Sequence, residues 1–200
     1  MGGARWTRRF SCLAGGGLLL ACLSAQAAQV LHGTVDKRDD AYVVDIDARI
    51  DAPLAAVESI ITDFSRLSRI NPSIESSQIL ARLGPRTTRV RTTARACIAF
   101  FCRDIVQVQD VTVQAGGDVV AHIVPAMSDL RRGTAHWQMR RRDGHTRLHF
   151  RYDFVPSFWV PPLIGPWMIK LKLEHEMLET ARRIEAIAAR GTDETPAPAQ

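Results

Sequence analysis

Two alternating segments joined by an Asp-Gly dipeptide constrain this chain most. Residues 133–142 and 145–154 alternate apolar and polar side chains, the period of a half-buried β-strand, and Asp143-Gly144 between them predicts a tight hairpin. The apolar positions of the pair are Ala135, Trp137, Met139, Leu148, Phe150, Tyr152 and Phe154. The pattern predicts an antiparallel sheet with one apolar face, which another element must cover.

Further strand patterns precede this hairpin, separated by glycine and proline turns. They span residues 42–50, 76–83, 87–96, 103–113 and 118–124. A weaker segment, residues 30–35, is predicted to pair back on the first of them as an extra strand. After residue 50, Pro53 suits the first turn of a helix. Asp63 is predicted to cap a second short helix, which Asn71-Pro72 ends.

The C-terminal part supplies the only long amphipathic helix. Four prolines interrupt residues 155–166, and a helix is predicted over residues 167–190. Its apolar side holds Trp167, Leu171, Leu173, Met177, Leu178, Ala181, Ile184 and Ala188. A long antiparallel sheet twists and curls. A curved sheet around one helix leaves an apolar pocket wherever the inner side chains do not fill the space.

The N-terminus has the pattern of a secretory signal peptide over residues 1–27. Arg5, Arg8 and Arg9 precede an apolar stretch, and Ala25-Gln26-Ala27 is a small-x-small cleavage pattern. Those residues hold three of the 26 basic and none of the 21 acidic residues, so the formal net charge falls from +5 to +2 without them. Global charge then gives no argument for a nucleic-acid partner. We expect a periplasmic protein; lipoprotein processing and twin-arginine export are weaker readings of the same segment.

The remaining chain is expected to form one domain over residues 29–190, with a disordered tail over residues 191–200. It keeps two cysteines, Cys97 and Cys102. An even number in an oxidising compartment favours a disulfide across a tight turn. The alternative is two buried thiols on neighbouring strand positions. Metal binding is disfavoured because no second cysteine pair or histidine pair lies nearby.

This order of elements resembles the START-like (SRPBCC) superfamily, the polyketide cyclase/dehydrase and lipid-transport family that includes coenzyme Q-binding START domains. The resemblance covers residues 41–189. It is carried by Ile50-Asp51-Ala52-Pro53 with Val57, by Thr62-Asp63-Phe64 with Asn71-Pro72, by Gly133-x3-Trp137, and by the C-terminal helix. It implies an α+β helix-grip fold of about seven strands, and a deep cavity for a hydrophobic molecule with the C-terminal helix as one wall.

The candidate ligand-binding residues are inward-facing strand positions, aromatic residues of the proline segment and positions on the helix. They are Trp137, Met139, Phe150, Tyr152, Phe154, Trp159, Trp167, Leu171, Glu174 and Leu178. Glu174 falls on the apolar side of the helix four residues after Lys170; the alternative to a polar-head-group site is a surface ion pair. Trp159 and Trp167 suit a pocket lid that touches a membrane surface, or a connector packed on the sheet end.

Three functions compete at this point. The first is periplasmic binding or transport of a lipid, quinone or polyketide-like molecule. The second is a cyclase/dehydrase-type enzyme, although no catalytic fingerprint is present and no cofactor or metal is expected. The third is a partner-binding module that uses arginines on the outer sheet face: Arg89, Arg91, Arg95, Arg140, Arg142, Arg147 and Arg151. For that face, a solvated surface is the alternative.

Overall fold

A computed structural model describes residues 28–98, 101–161 and 164–193. The described part contains eight strands and two α-helices. The strands are β1 Gln29–Arg38, β2 Ala41–Ile50, β3 Ile74–Arg82, β4 Thr87–Ile98, β5 Phe101–Val113, β6 Val119–Ile123, β7 Leu130–Arg142 and β8 His145–Pro156. The helices are α1 Leu54–Ile61 and α2 Pro166–Asp193. The predicted signal peptide and residues 194–200 of the predicted tail lie outside the described residues.

All eight strands form one antiparallel sheet in the order β1-β2-β8-β7-β6-β5-β4-β3. The strand β2 lies beside the last strand, with Ile46 opposite Phe150. The predicted extra strand is present, because β1 pairs with β2 and places Val35 opposite Val44. The α+β helix-grip fold is therefore confirmed, with eight strands in place of about seven.

The β7–β8 hairpin has the predicted turn. Asp143 and Gly144 both have positive φ, 43° and 82°, which the commonest two-residue hairpin turn requires. Trp137 pairs with Phe150 and Met139 with Leu148. The apolar side chains of both strands thus share the inner face of the sheet.

The helical region after β2 is shorter than the sequence pattern predicted. Helix α1 buries Val57, Ile60 and Ile61. The predicted second helix is wrong beyond a single 3₁₀ turn, Leu67–Arg69. Its capping residue is engaged elsewhere: the Asp63 carboxylate accepts hydrogen bonds from the side chains of Ser65, Arg66 and Arg69.

Helix α2 covers the inner face of the sheet and takes part in two groups of buried side chains. Its C-terminal half inserts Ala181, Ile184 and Ala188 against α1 and the sheet. Its first turns place Ile169 beside β2 residues of a second group. Phe150, Tyr152 and Met177 contact both groups. The interior between the two groups is where a cavity forms.

Across residues 28–98, 101–161 and 164–193, no helix combines the length and the apolarity that crossing a bilayer requires.

A candidate ligand-binding cavity

A cavity of about 380 Å³ lies between the inner face of the sheet and α2. Apolar side chains from six strands form most of its lining, and Ile169, Leu173 and Met177 close it from the helix. The cavity lies where residues of the two buried groups, among them Phe150, Tyr152 and Met177, meet without filling the space between the sheet and α2. Its size is within the range of small-molecule sites.

Five aromatic rings form one continuous surface of the cavity, here called the aromatic wall: Tyr42, Phe154, Tyr152, Phe150 and Trp137. Successive ring centroids are 5.6, 4.7, 6.2 and 5.2 Å apart. These spacings lie in the range of favourable aromatic pairs. The wall follows from the strand register, because β2, β8 and β7 present their inward positions side by side.

A small polar cluster interrupts the apolar interior. It consists of Tyr152 on β8 with Gln107 and Gln109 on β5. The Tyr152 hydroxyl donates to Gln107 Oε1 at 3.4 Å, and Gln109 Nε2 donates to the same oxygen at 3.1 Å. Burial raises the pKa of the Tyr152 hydroxyl above its ordinary value, and the negative charge of the neighbouring Asp153 raises it further. Tyr152 is therefore a neutral phenol at physiological pH.

Gly133 on β7 makes room for this cluster. A Cβ atom at this position would lie 3.2 Å from Tyr152 Cε2, 2.9 Å from Ile123 Cγ1 and 3.2 Å from the Asp153 carbonyl oxygen. Contacts this short require neighbouring atoms to move. The glycine of the Gly133-x3-Trp137 pattern thus lets the phenol ring lie close against β7.

The cavity reaches the surface beside the β4–β5 hairpin, since Arg103 lines it and is itself exposed. The Arg103 guanidinium lies over the Phe158 ring at 4.3 Å. On the helix side, Lys172 Nζ is 3.0 Å from Glu176 Oε1, and the Ser73 hydroxyl donates to the same carboxylate oxygen. We call these five residues the rim. In the rim, Lys172 and Glu176 thus form an ion pair, and Arg103 is stacked on an aromatic ring.

The predicted site residues fall into three groups. Trp137, Phe150, Tyr152 and Phe154 line the cavity. Met139 is buried and Leu178 half-buried in the packed core, outside the lining. Glu174 is also outside it: this side chain pairs with Lys170 at 3.7 Å and lies against Gly33 of β1.

The remaining three predicted residues, Trp159, Trp167 and Leu171, are on the outer surface. Their exposed fractions are 69%, 64% and 58%, and none lines the cavity. The helical wheel misplaced Leu171 because the apolar arc of α2 is wider than the arc that contacts the sheet. Ligand binding by any of the ten residues stays a prediction.

Sequence reasoning missed Gln107 and Gln109. They stand at inward positions of β5 between Ile105 and Val111, all four lining the cavity. The sequence could have indicated them, because the two amides alternate with Val106 and Val108 and share one face of the strand with Ile105 and Val111. The pattern did not show which face was the inner one, because Val106 and Val108 on the opposite face are also apolar.

The predicted disulfide is present: Cys97 and Cys102 are bonded, with an S–S distance of 2.09 Å. The two residues face each other across the β4–β5 ladder. The bond closes the hairpin next to Ile98 and Phe101, which line the cavity. It therefore ties together the strand ends that border the opening.

Ion pairs occupy much of the outer sheet face. Arg89, Arg95, Arg140, Arg147 and Arg151 pair with Asp110, Asp104, Asp118, Asp47 and Asp45 in turn. The neighbouring carboxylates offset the positive charge, which favours the reading of a solvated face over an anion-binding one. Among the described residues, no cluster of His, Cys, Asp and Glu side chains could hold a metal ion.

The sequence matches the family described as polyketide cyclase / dehydrase and lipid transport over residues 42–186. The chain belongs to this family. The match begins in β2 and ends in α2, so it includes every element that encloses the cavity. No curated protein matches the chain.

Several solved structures share the family fold at low sequence identity. The Zhui aromatase/cyclase from a Streptomyces species aligns with a TM-score of 0.61 and 16% identity, covering 76% of this chain and 96% of that one. A START superfamily protein from Mycobacterium smegmatis aligns with a TM-score of 0.57 and 20% identity, covering 74% of this chain and 97% of that one. A STAR-related lipid transfer protein from Xanthomonas axonopodis aligns with a TM-score of 0.54 and 13% identity, covering 78% of this chain and 98% of that one. These likenesses establish the fold alone.

Proposed function

We propose that this protein binds a hydrophobic small molecule, of the lipid, quinone or polyketide class, in the cavity between the sheet and α2. The observation that carries the proposal is an open cavity of about 380 Å³ walled by aromatic and aliphatic side chains. Family membership supports it, since lipid transport is part of the family description.

Burial of ligand surface supplies the binding free energy. At about 25 cal/mol per Å², roughly 300 Å² of apolar ligand surface contributes on the order of 7 kcal/mol before association costs are subtracted. The aromatic wall adds favourable ring contacts for an unsaturated ligand. Such a molecule would be held without any covalent step.

Native mass spectrometry of the purified protein, followed by solvent extraction, tests the proposal. We expect a bound lipid, quinone or polyketide-like molecule at about one per chain. The variant Ala94→Trp fills part of the cavity from β4 and should lose the molecule. Ala115→Trp, at an exposed turn, is the matched control and should retain it. Ligand retained equally by both variants would place binding elsewhere.

We further propose that the protein works in the periplasm and exchanges its ligand at a membrane surface. The pattern over residues 1–27 supports export. The exposed Trp159, Trp167 and Leu171 support contact with a bilayer interface, where tryptophan is favoured. All three flank the cavity-lining residues Phe158, Ile164 and Ile169.

Fractionation and vesicle binding test these two points separately. The full chain expressed in a Gram-negative bacterium should be found in the periplasmic fraction with Ala28 as its new N-terminus. With phosphatidylcholine/phosphatidylglycerol vesicles, Trp159→Ser combined with Trp167→Ser should reduce co-sedimentation. Leu80→Ser with Leu83→Ser changes two exposed apolar residues elsewhere and should not. Equal behaviour of both double variants would contradict the membrane contact.

A cyclase/dehydrase reaction is the second candidate function. The specific observation in its favour is the Tyr152 hydroxyl, a proton donor inside the cavity. Tyr152→Phe should then abolish turnover of a polyketide substrate while leaving its affinity within about threefold. Loss of affinity and turnover together would assign the hydroxyl to binding.

A further inference from the structure

The polar cluster has hydrogen-bonding capacity that the described protein groups leave unused. Gln107 Oε1 accepts two hydrogen bonds, from Tyr152 and from Gln109. Among the described residues, no partner is seen for the Gln107 amide N–H groups or for Gln109 Oε1. An amide carries two donors and one acceptor, so the cluster presents both kinds of group. Both glutamines line the cavity, so these groups are available to its contents.

Among the cavity-lining residues that the structure describes, the charged side chains are Arg103, Lys172 and Glu176, and none of them belongs to the polar cluster. Arg103 stands four residues before Gln107 on β5, which is roughly 13 Å away at about 3.3 Å per residue. Its guanidinium is held over Phe158. At the rim, Lys172 is paired with Glu176. A carboxylate placed against the polar cluster would lose its hydration without gaining a cation, which is costly in an apolar site.

From these observations we infer that the polar cluster is a recognition site for an uncharged oxygen, a ketone or an alcohol, on the buried end of the ligand. The inference rests on the proposed function of the cavity and names the ligand chemistry. The Gln107 amide donates to the ligand oxygen, and Gln109 Oε1 accepts from the ligand where that oxygen carries a proton. The aromatic wall contacts the adjoining body of the ligand. Anionic head groups are excluded from this end of the cavity.

A pair of isosteric probes tests the inference. Acetylnaphthalene carries a ketone, whereas isopropylnaphthalene has a similar shape without an oxygen. Binding of each to the purified protein is measured by tryptophan fluorescence or by NMR titration. Gln107→Leu should weaken acetylnaphthalene about threefold to tenfold, the value of one neutral hydrogen bond. It should leave isopropylnaphthalene within about twofold, because the leucine preserves the apolar contact.

Two further variants complete the design. Gln78→Leu makes the same change at an exposed position of β3 and should alter neither affinity. Tyr152→Phe keeps the ring but removes the hydroxyl that orients the Gln107 amide, so it should also reduce the preference for the ketone. This variant replaces Gln107→Leu if that one does not fold. Naphthol should lose affinity in the same variants as acetylnaphthalene does. Naphthoate should bind at least tenfold more weakly than acetylnaphthalene.

The outcomes distinguish a failure of the recognition site from a failure of the proposed cavity function. Equal weakening of both isosteric probes by Gln107→Leu, or naphthoate binding as tightly as the ketone, overturns the recognition site. Isopropylnaphthalene binding by the unmodified protein would still uphold the cavity function in that case. If no probe binds, the proposed function fails and the inference fails with it.

Discussion

The Tyr152 hydroxyl lies 3.4 Å from Gln107 Oε1 although β8 and β5 are separated by two strands of the same sheet. The contact is feasible because the intervening inward positions are small. Ala121 on β6 and Ala135 on β7 are buried between them, and Gly133 has no side chain. The phenol ring therefore lies across the sheet rather than standing away from it.

Gly133→Ala should destabilise the protein and disturb the polar cluster. Its Cβ would meet Ile123, Tyr152 and the backbone of Asp153 at 2.9 to 3.2 Å. Overpacking of a filled site costs about 1–3 kcal/mol, measurable by chemical denaturation. Gly116→Ala is the matched control, since nothing lies within 4 Å of its Cβ. Equal stability of the two variants would show that Tyr152 can adapt without loss.

Much of the fold was predictable because its determinants are local. The alternation around Asp143-Gly144 predicts the inner face of the hairpin, and six of its seven apolar residues line the cavity: Ala135, Trp137, Leu148, Phe150, Tyr152 and Phe154. A hairpin turn and a period of two need only neighbouring residues.

The features that the sequence did not predict depend on contacts between elements that are distant in the chain. A helical wheel shows which residues of α2 are apolar but not how much of that arc the sheet covers. It therefore predicts Leu171 as a lining residue, whereas the structure leaves this side chain exposed. Gln107 and Gln109 become a site only when β5 is placed opposite Tyr152. The short helix at Asp63 failed for a related reason, since Arg66 and Arg69 engage its carboxylate.

Glu185→Ala should loosen the attachment of α2 to the first strands. One carboxylate oxygen accepts from the Asp51 backbone nitrogen at 2.5 Å and the other from the Ala28 nitrogen at 3.2 Å. Removing a charged acceptor from two backbone donors costs about 1–3 kcal/mol. Chemical denaturation measures the loss. Glu179→Ala removes only an exposed pair with Arg182 and should change the stability by less than about 1 kcal/mol; a similar loss in both variants would rule out this role for Glu185.

Opening the Cys97–Cys102 bond should lower the stability by about 2 kcal/mol, the chain-entropy value for so short a loop. Cys97→Ser with Cys102→Ser is the variant, compared with the oxidised protein by denaturation. Alkylation followed by mass measurement checks the bond itself. The native protein should take up no label at these two positions until it is reduced, and both cysteines should then react. Labelling without reductant would contradict the bond.

Acidification should lower the free energy of unfolding by protonating two aspartates of the outer sheet face, Asp110 and Asp118. The hydrogen bonds from Arg89 and Arg140 lower the pKa values of Asp110 and Asp118 below their ordinary value of 3.8. Because the carboxylates of the unfolded chain bind protons first, this stabilisation is full above about pH 5 and is lost as the pH falls through the lowered folded-state values. Asp110→Asn with Asp118→Asn should therefore flatten the dependence of the free energy of unfolding on pH below about 4. Asp36→Asn with Asp39→Asn, at exposed positions, is the control and should keep the slope of the unmodified protein. An unchanged slope in both double variants would assign the acid sensitivity to other groups.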